Sequence, residues 1–251
     1  MINKNNINIG LFVLAFKPID YNIPNRFTLL ECGAALHNNH FSECLDNTGD
    51  NISNRNRIYC DTTGAYWIWK NVHAPIKGQI QYRRFMNIEP NNIEDLLKYH
   101  DIICGSPLNF GSITLEQQLN GLDSNYLKTI KQILSEKYPE YVSSYEKYIE
   151  QGSILYYSPG FITTEKTYDS ICEFCFGVIF EFMGRYGFND EARLYEHTQK
   201  WCSENNQEYG EGKLRVPGHL FERLFTLYLF HNDLKIFNSG KYILKEKNMI
   251  L

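Results

Sequence analysis

From Ile7 to Ala15 the chain is apolar apart from Asn8 and Gly10, and the run ends at Phe16-Lys17-Pro18. It lacks the strict alternation of a half-exposed strand, so it reads as a strand covered on both faces, followed by a loop. That is the usual first element of a doubly wound α/β sheet. Ligands of such sheets bind beyond the carboxyl ends of the strands, which places Phe16 and Lys17 to touch one.

With 251 residues, 43% of them hydrophobic, the chain has enough apolar material for one α/β domain with a helical annex. We expect a single domain over 1–251 with a helical insertion at 114–151. A formal net charge of −4 argues against nucleic acid as a partner, and Lys and Arg are scattered rather than run together. No apolar stretch reaches the ~20 residues of a membrane-spanning helix, and the N-terminal run lacks the flanks of a secretion signal. The expected location is the cytoplasm. Seven cysteines without framework spacing suit a reducing compartment. Cys172 and Cys175 lie in the apolar run Ile171 to Phe182 and read as buried thiols rather than metal ligands.

Residues 18–59 read as loop-rich, 61–71 as a helix capped by Asp61 or Thr62, and Gly78 to Phe85 as a strand. A short helix at Asn92 to Tyr99 and a buried strand at Asp101 to Cys104 follow. Thr114 to Gln151 reads as helical with a break at Tyr138-Pro139. Ser153 to Thr163 returns as a strand and Thr164 to Tyr186 as a long helix. Residues 187–214 are polar and read as a mobile segment. Val216 to His231 forms an amphipathic helix, and Leu234 to Leu244 a terminal strand or tail.

Four constellations bear chemistry. Asp46 to Ser53 gathers Asp46, Asp50, Asn51, a glycine and hydroxyl groups, suited to ribose hydroxyls or to a structural turn. On the following helix Thr63, Trp67 and Lys70 share a face flanked by Tyr66 and Trp69, suited to a phosphate or sugar, or to aromatic core packing with a snorkelling lysine. Arg83 and Arg84, next to Gln81 and Tyr82, are costly at the end of a buried strand unless they meet anions. Guanidinium grips a diphosphate as a fork, the alternative being ion pairs to Asp46, Asp50 or Asp101. His219, Glu222 and Arg223 share one face of the last helix, where Glu222 could act as a base or sit in an ion pair. Sugar transfer from a nucleotide donor needs a nucleoside pocket, positive charge at the leaving diphosphate and a carboxylate base. No Asp-x-Asp occurs, so the arginine pair is the favoured source of that charge without a metal, Mg or Mn being the alternative.

These segments carry a family resemblance. Asp46-Asn47-Thr48-Gly49-Asp50-Asn51-Ile52-Ser53, then Cys60-Asp61-Thr62-Thr63-Gly64-Ala65-Tyr66-Trp67-Ile68-Trp69-Lys70-Asn71, Gln81-Tyr82-Arg83-Arg84-Phe85, Lys137-Tyr138-Pro139-Glu140-Tyr141 and Gly218-His219-Leu220-Phe221-Glu222-Arg223-Leu224 stand in one family's order. The chain resembles the bacterial capsular and exopolysaccharide glycosyltransferases long filed as a domain of unknown function. The resemblance implies a GT-A-like, Rossmann-type sheet flanked by helices. It also implies a nucleotide-sugar donor, UDP by default because some relatives transfer galactofuranose, and inversion at the anomeric carbon. The acceptor would be a glycan or lipid-linked oligosaccharide, met at the inner face of the membrane. Two positions depart from the family: Gln81 and Phe16 stand where it usually has His.

The resulting assignment places the nucleotide on Lys17, Asp46, Asp50, Asn51, Trp67, Lys70, Gln81 and His219. Catalysis falls to Arg83, Arg84 and Glu222, with Asp101 a second candidate base. The rival readings are a non-catalytic partner that binds nucleotide sugar or glycan, and a metal-dependent phosphosugar transferase.

Overall fold

In the computed structural model, which describes residues 9–243 apart from 120, 158 and 159, the first apolar run is strand β1 (Ile9–Ala15). Alternate side chains leave its two faces. Phe12 and Leu14 enter one apolar cluster, and Leu11, Val13 and Ala15 another on the opposite side. That double burial explains why the run lacks polar alternation. The segment read as loop also contains β2 (Phe27–Glu31) and β3 (Cys44–Leu45). Both are short, and β2 shows polar or charged residues at two of its five positions.

Next come α1 (Asn56–Tyr59), α2 (Thr62–Asn71) and β4 (Ile76–Gln81). Helix α2 lies so close to the sheet that a Cβ on Gly64 would stand 2.6 Å from Cys32 Sγ and 2.8 Å from Leu14 Cδ2. The strand expected to continue to Phe85 instead reverses at Tyr82-Arg83. It pairs back on itself as β5 (Arg84–Met86), antiparallel, with Gln81 opposite Arg84. The chain continues through α3 (Ile93–Leu96), β6 (Ile102–Cys104) and β7 (Leu108–Asn109).

Helix α4 (Asn125–Lys137) starts later than expected, because 114–119 and 121–124 form turns, with Gly121 at φ 70°. After the Tyr138-Pro139 break, α5 (Val142–Tyr145) continues into a π-helical turn, Glu146–Glu150. The segment packs into the main core through Tyr126, Leu127, Ile130, Ile133 and Leu134. Strands β8 (Ile154–Leu155) and β9 (Phe161–Thr164) divide the stretch read as one strand.

Helix α6 (Glu165–Tyr186) has clear ends. Thr164 Oγ1 accepts from Thr167 N, and Gly187 at φ 67° closes the other end, with Gly187 N donating to Gly184 O and Phe188 N to Met183 O. Beyond it, the polar segment expected to be mobile folds as α7 (Glu191–Glu204). Asp190 caps it, and it is anchored by buried Leu194, Thr198 and Cys202. Helix α8 (Val216–His231) is buried on most of its circumference rather than along one stripe. Strands β10 (Ile236–Asn238) and β11 (Lys241–Ile243) follow, while Leu244, the end of the expected terminal strand, lies outside the described residues, as do Ile7 and Asn8.

The main sheet runs β10-β6-β9-β4-β1-β2-β3, with β5 paired to β4 and β11 to β5. Strand β9 is antiparallel to both β4 and β6, whereas β1 is parallel to β2 and β4. Thus β1, β2, β4 and β6 all end at one edge. Helices α2, α4, α6 and α8 cover the face bearing Phe12 and Leu14. The α/β sheet flanked by helices expected from sequence is the observed architecture.

Candidate active site

At the shared carboxyl edge, β1 ends in Ala15 with Phe16 directly after it, and β4 ends in Gln81, which pairs with Leu14 of β1. Two helix starts face this edge: α2 after Cys60-Asp61, and α8 after Arg215. Together with Tyr157 they enclose an open cleft of about 120 Å³, lined by Phe16, Asp61, Gln81, Arg83, Arg84, Arg215, His219 and Glu222 among others. Two helix N-termini and three guanidinium groups make this a site suited to a multiply charged anion.

The hairpin explains how consecutive arginines reach one cleft. In a continuous strand they would point to opposite faces, but here Arg83 lies in the turn and Arg84 opens β5. Gln81 Oε1 accepts from Arg83 N at 3.3 Å, so the amide shapes the turn, a task that needs no titrating group. The Arg83 guanidinium lies 5.0 Å from the Tyr82 ring centroid, and that of Arg84 4.4 Å from Tyr157. Arg83 makes no ion pair with a carboxylate among the described residues, so the pairing to Asp46, Asp50 or Asp101 considered above does not account for it.

Opposite the hairpin, Cys60 takes φ 53° and ψ −139°, a conformation rare for a residue with a side chain. The turn is fastened by Cys60 N donating to Asn56 O at 2.7 Å, and by Asn56 Nδ2 donating to Cys60 O at 2.6 Å and to Thr63 Oγ1 at 2.9 Å. It delivers Asp61 to the cleft. Burial pushes the Asp61 carboxyl above the usual carboxylate range, against the opposing pull of Arg84, Arg215 and Arg83. The Cys60 thiol, pushed up to about 12 chiefly by burial and then by Asp61, stays protonated and is no nucleophile.

From α8, His219 and Glu222 project into the cleft with His219 Nδ1 3.9 Å from Glu222 Oε2. Burial, followed by the charges of Arg223 and Arg215, lowers the His219 pKa to about 4, so its ring is neutral near pH 7. Glu222 is 7% exposed. Its helix neighbour Arg223 turns away. Its guanidinium donates to Leu115 O, His219 O and both oxygens of Gln118, tying α8 to the turns before α4.

Gln81, Arg83, Arg84, His219 and Glu222 therefore converge as expected, with Phe16 beside them. Lys17 is exposed, its Nζ 5.8 Å from the Tyr82 ring. The remaining residues lie elsewhere. Asp46 is fully buried, and its carboxylate accepts from Gly33 N, Ala34 N and Ser53 Oγ. Asp50 Oδ1 accepts from Tyr66, and Asn51 bonds within its own loop to Gly49 O and Ser53 N. Trp67 Nε1 donates to Thr48 O and Oγ1, and Lys70 Nζ sits 3.4 Å over the Trp69 ring. Asp50 and Trp67 bind the 46–53 loop and α2 to each other, Asp46 and Asn51 brace the loop and its neighbours, Lys70 covers a ring of its own helix, and none of the five lines the cleft. Asp101 is also displaced. It precedes β6, at the sheet edge opposite the cleft, and its Oδ2 accepts from Lys235 N at 2.8 Å, so it cannot serve as a base there. Asp61, Arg215 and Tyr157 enter the site without having been singled out. Asp61 had stood only as a helix cap and as part of a family segment, with no role of its own.

Among the described residues no group of three or more His, Cys, Asp or Glu side chains is placed to hold a metal ion. None of their helices is long and apolar enough to cross a membrane. Comparison with known proteins gives two matches. The family described as "Domain of unknown function (DUF4422)" matches residues 10–233. The solved structure described as "WbbM bifunctional glycosytransferase apo structure" is similar with a TM-score of 0.79 at 21% identity, over 95% of this chain and 45% of that one. The present chain thus spans under half of that protein, and the likeness speaks for the fold. No curated protein matches.

Proposed function

Because the chain belongs to the DUF4422 family and has the fold of a bifunctional glycosyltransferase over nearly its whole length, we propose that it is itself a glycosyltransferase. In this reading it moves a sugar from a nucleotide donor, UDP-linked by default, to a glycan or lipid-linked acceptor in the assembly of a surface polysaccharide, on a GT-A-like scaffold. One observation carries this reading: Arg83, Arg84 and Arg215 meet Glu222 and Asp61 in one cleft at the carboxyl ends of β1 and β4.

The guanidinium groups take up the charge that grows on the departing diphosphate, the task a divalent cation performs in Asp-x-Asp enzymes. Glu222 accepts the proton of the acceptor hydroxyl. The hydroxyl oxygen bonds to the anomeric carbon as that carbon's bond to the diphosphate oxygen breaks, and the electron pair leaves with the diphosphate. Displacement from the opposite face inverts the anomeric centre. His219, neutral at working pH, offers a hydrogen bond without competing for the charge of Glu222. Asp61 balances the arginines between turnovers.

Arg83→Ala should lower turnover about 10²–10³-fold, the usual cost of removing one transition-state donor, while the thermal midpoint stays in place. Unchanged turnover would remove the charge-neutralisation mechanism. A wild-type protein that binds UDP-sugar yet never releases UDP would be a binding partner rather than an enzyme.

A further inference from the structure

A second cavity is lined by elements that run on into the walls of the cleft, and the chemistry above makes no use of it. Buried Ile58 and Leu214 form its base, and Arg57, Glu191, Ala192, Tyr195 and Glu196 complete the lining. Its volume is about 440 Å³, within the span of roughly 300–1,000 Å³ usual for ligand sites. Tyr195 is 40% exposed, unusual for a large ring. It is nonetheless held in place, with its hydroxyl accepting from Gln199 Nε2 at 2.6 Å and its ring 5.5 Å from that of Tyr209.

An open aromatic ring beside two carboxylates and a guanidinium suits an uncharged polyhydroxyl ligand. Ring C–H groups would lie against the tyrosine and hydroxyls would donate to Glu191 and Glu196, while Arg57, whose Nη2 also pairs with Glu211 at 3.4 Å, would donate to ring or hydroxyl oxygens from its other N–H groups. The same carboxylates repel phosphate, so the cavity does not duplicate the cleft. The two spaces share walls. Helix α1, which carries Arg57 and Ile58, ends at Cys60 in the cleft. The 3-10 turn Glu211–Leu214, which carries Leu214, ends at Arg215 in the cleft.

We propose that this cavity is an acceptor subsite that holds one hexose unit of the acceptor glycan, set back from the reacting hydroxyl; the assignment rests on the glycosyltransferase reading. The test uses saturation-transfer NMR with two probes, UDP and a panel of methyl glycosides of glucose, galactose, mannose and N-acetylglucosamine. The wild-type protein should give a signal from at least one glycoside, and Tyr195→Ala and Glu196→Gln should each weaken it about tenfold while the UDP signal is kept. A glycoside signal that survives in Glu196→Gln and in Tyr195→Ala, or no glycoside signal from the wild type, overturns the subsite. Should Tyr195→Ala lose both signals, Glu196→Gln decides alone: glycoside signal kept overturns, lost supports. A wild type that binds a glycoside but not UDP overturns the donor reading and leaves the cavity standing as a sugar site.

Discussion

The 46–53 loop and the β4–β5 hairpin are alike in composition and opposite in use. Both are short polar stretches beside aromatic side chains near the start of the chain's sheet, and both offer groups that suit a nucleotide. In the loop every group that looked ready for a ligand is met from within. Asp46 takes two backbone amides and a serine hydroxyl, Asp50 takes Tyr66, and Asn71 bonds both the amide and the carbonyl of Asp50. At the hairpin the backbone is served by Gln81, while among the described residues the guanidinium of Arg83 meets a ring face and no carboxylate. A buried polar group has to find a partner. Which groups find theirs inside the protein is what separates a brace from a site.

That contrast can be broken in stages. Its strongest test pairs the Arg83→Ala variant, with its loss of turnover at constant stability, with Asp46→Ala, which should do the reverse. Removing the carboxylate leaves Gly33 N, Ala34 N and the Ser53 hydroxyl without their acceptor. We expect a loss of about 3 kcal/mol, and a fall in thermal midpoint of roughly 6–10 °C. Per folded molecule, UDP affinity should be unchanged. An Asp46→Ala protein that melts normally but no longer binds UDP would return the loop to the active site.

A somewhat smaller effect should appear with pH. His219 titrates near 4 in the folded chain against 6.5 ordinarily. The unfolded chain therefore binds a proton that the folded one refuses between those values. Its contribution is intact above pH 6.5 and is lost as the pH falls toward 4, by an amount of order 2–3 kcal/mol. Denaturation midpoints measured from pH 7 to 4 should flatten in His219→Gln relative to wild type. An unchanged slope would mean that the ring is not desolvated. Smallest of all, Trp67→Phe removes the indole donor to Thr48 and should cost about 1 kcal/mol in urea unfolding with no change in turnover. A several-fold rise in the donor KM would contradict the purely bracing role.

Much of the fold was legible because its signals are local. The double-sided run of β1, the Thr164 cap and Gly187 stop of α6, and the span of α8 need only neighbouring residues. Helix α7 was illegible because just Leu194, Thr198 and Cys202 mark its inner face, one of them polar. The break at Tyr82-Arg83 was hidden because no Gly, Asn or Pro marks the turn, and Gln81 supplies the missing turn chemistry instead. Within the site, the charges on the hairpin and on α8 were recognisable as residues out of place in apolar surroundings. Asp61 and Arg215 were not, since each looked like an ordinary residue at a helix start. Asp101 was misjudged because the end of the sheet to which a strand residue belongs depends on strand direction, and the antiparallel insertion of β9 sets that.

The pairing of β5 with β11, in which Ile243 stands opposite Arg84, has a practical consequence for anyone handling this protein. The arginine turn leans on residues some 150 positions later in the chain. A cut before Lys241, or a bulky fusion joined directly behind Ile243, would leave the helices and most of the sheet folded while unmooring the hairpin that carries Arg83 and Arg84. Such material would look sound by circular dichroism and be poor in assays. Purification handles therefore belong at the other terminus.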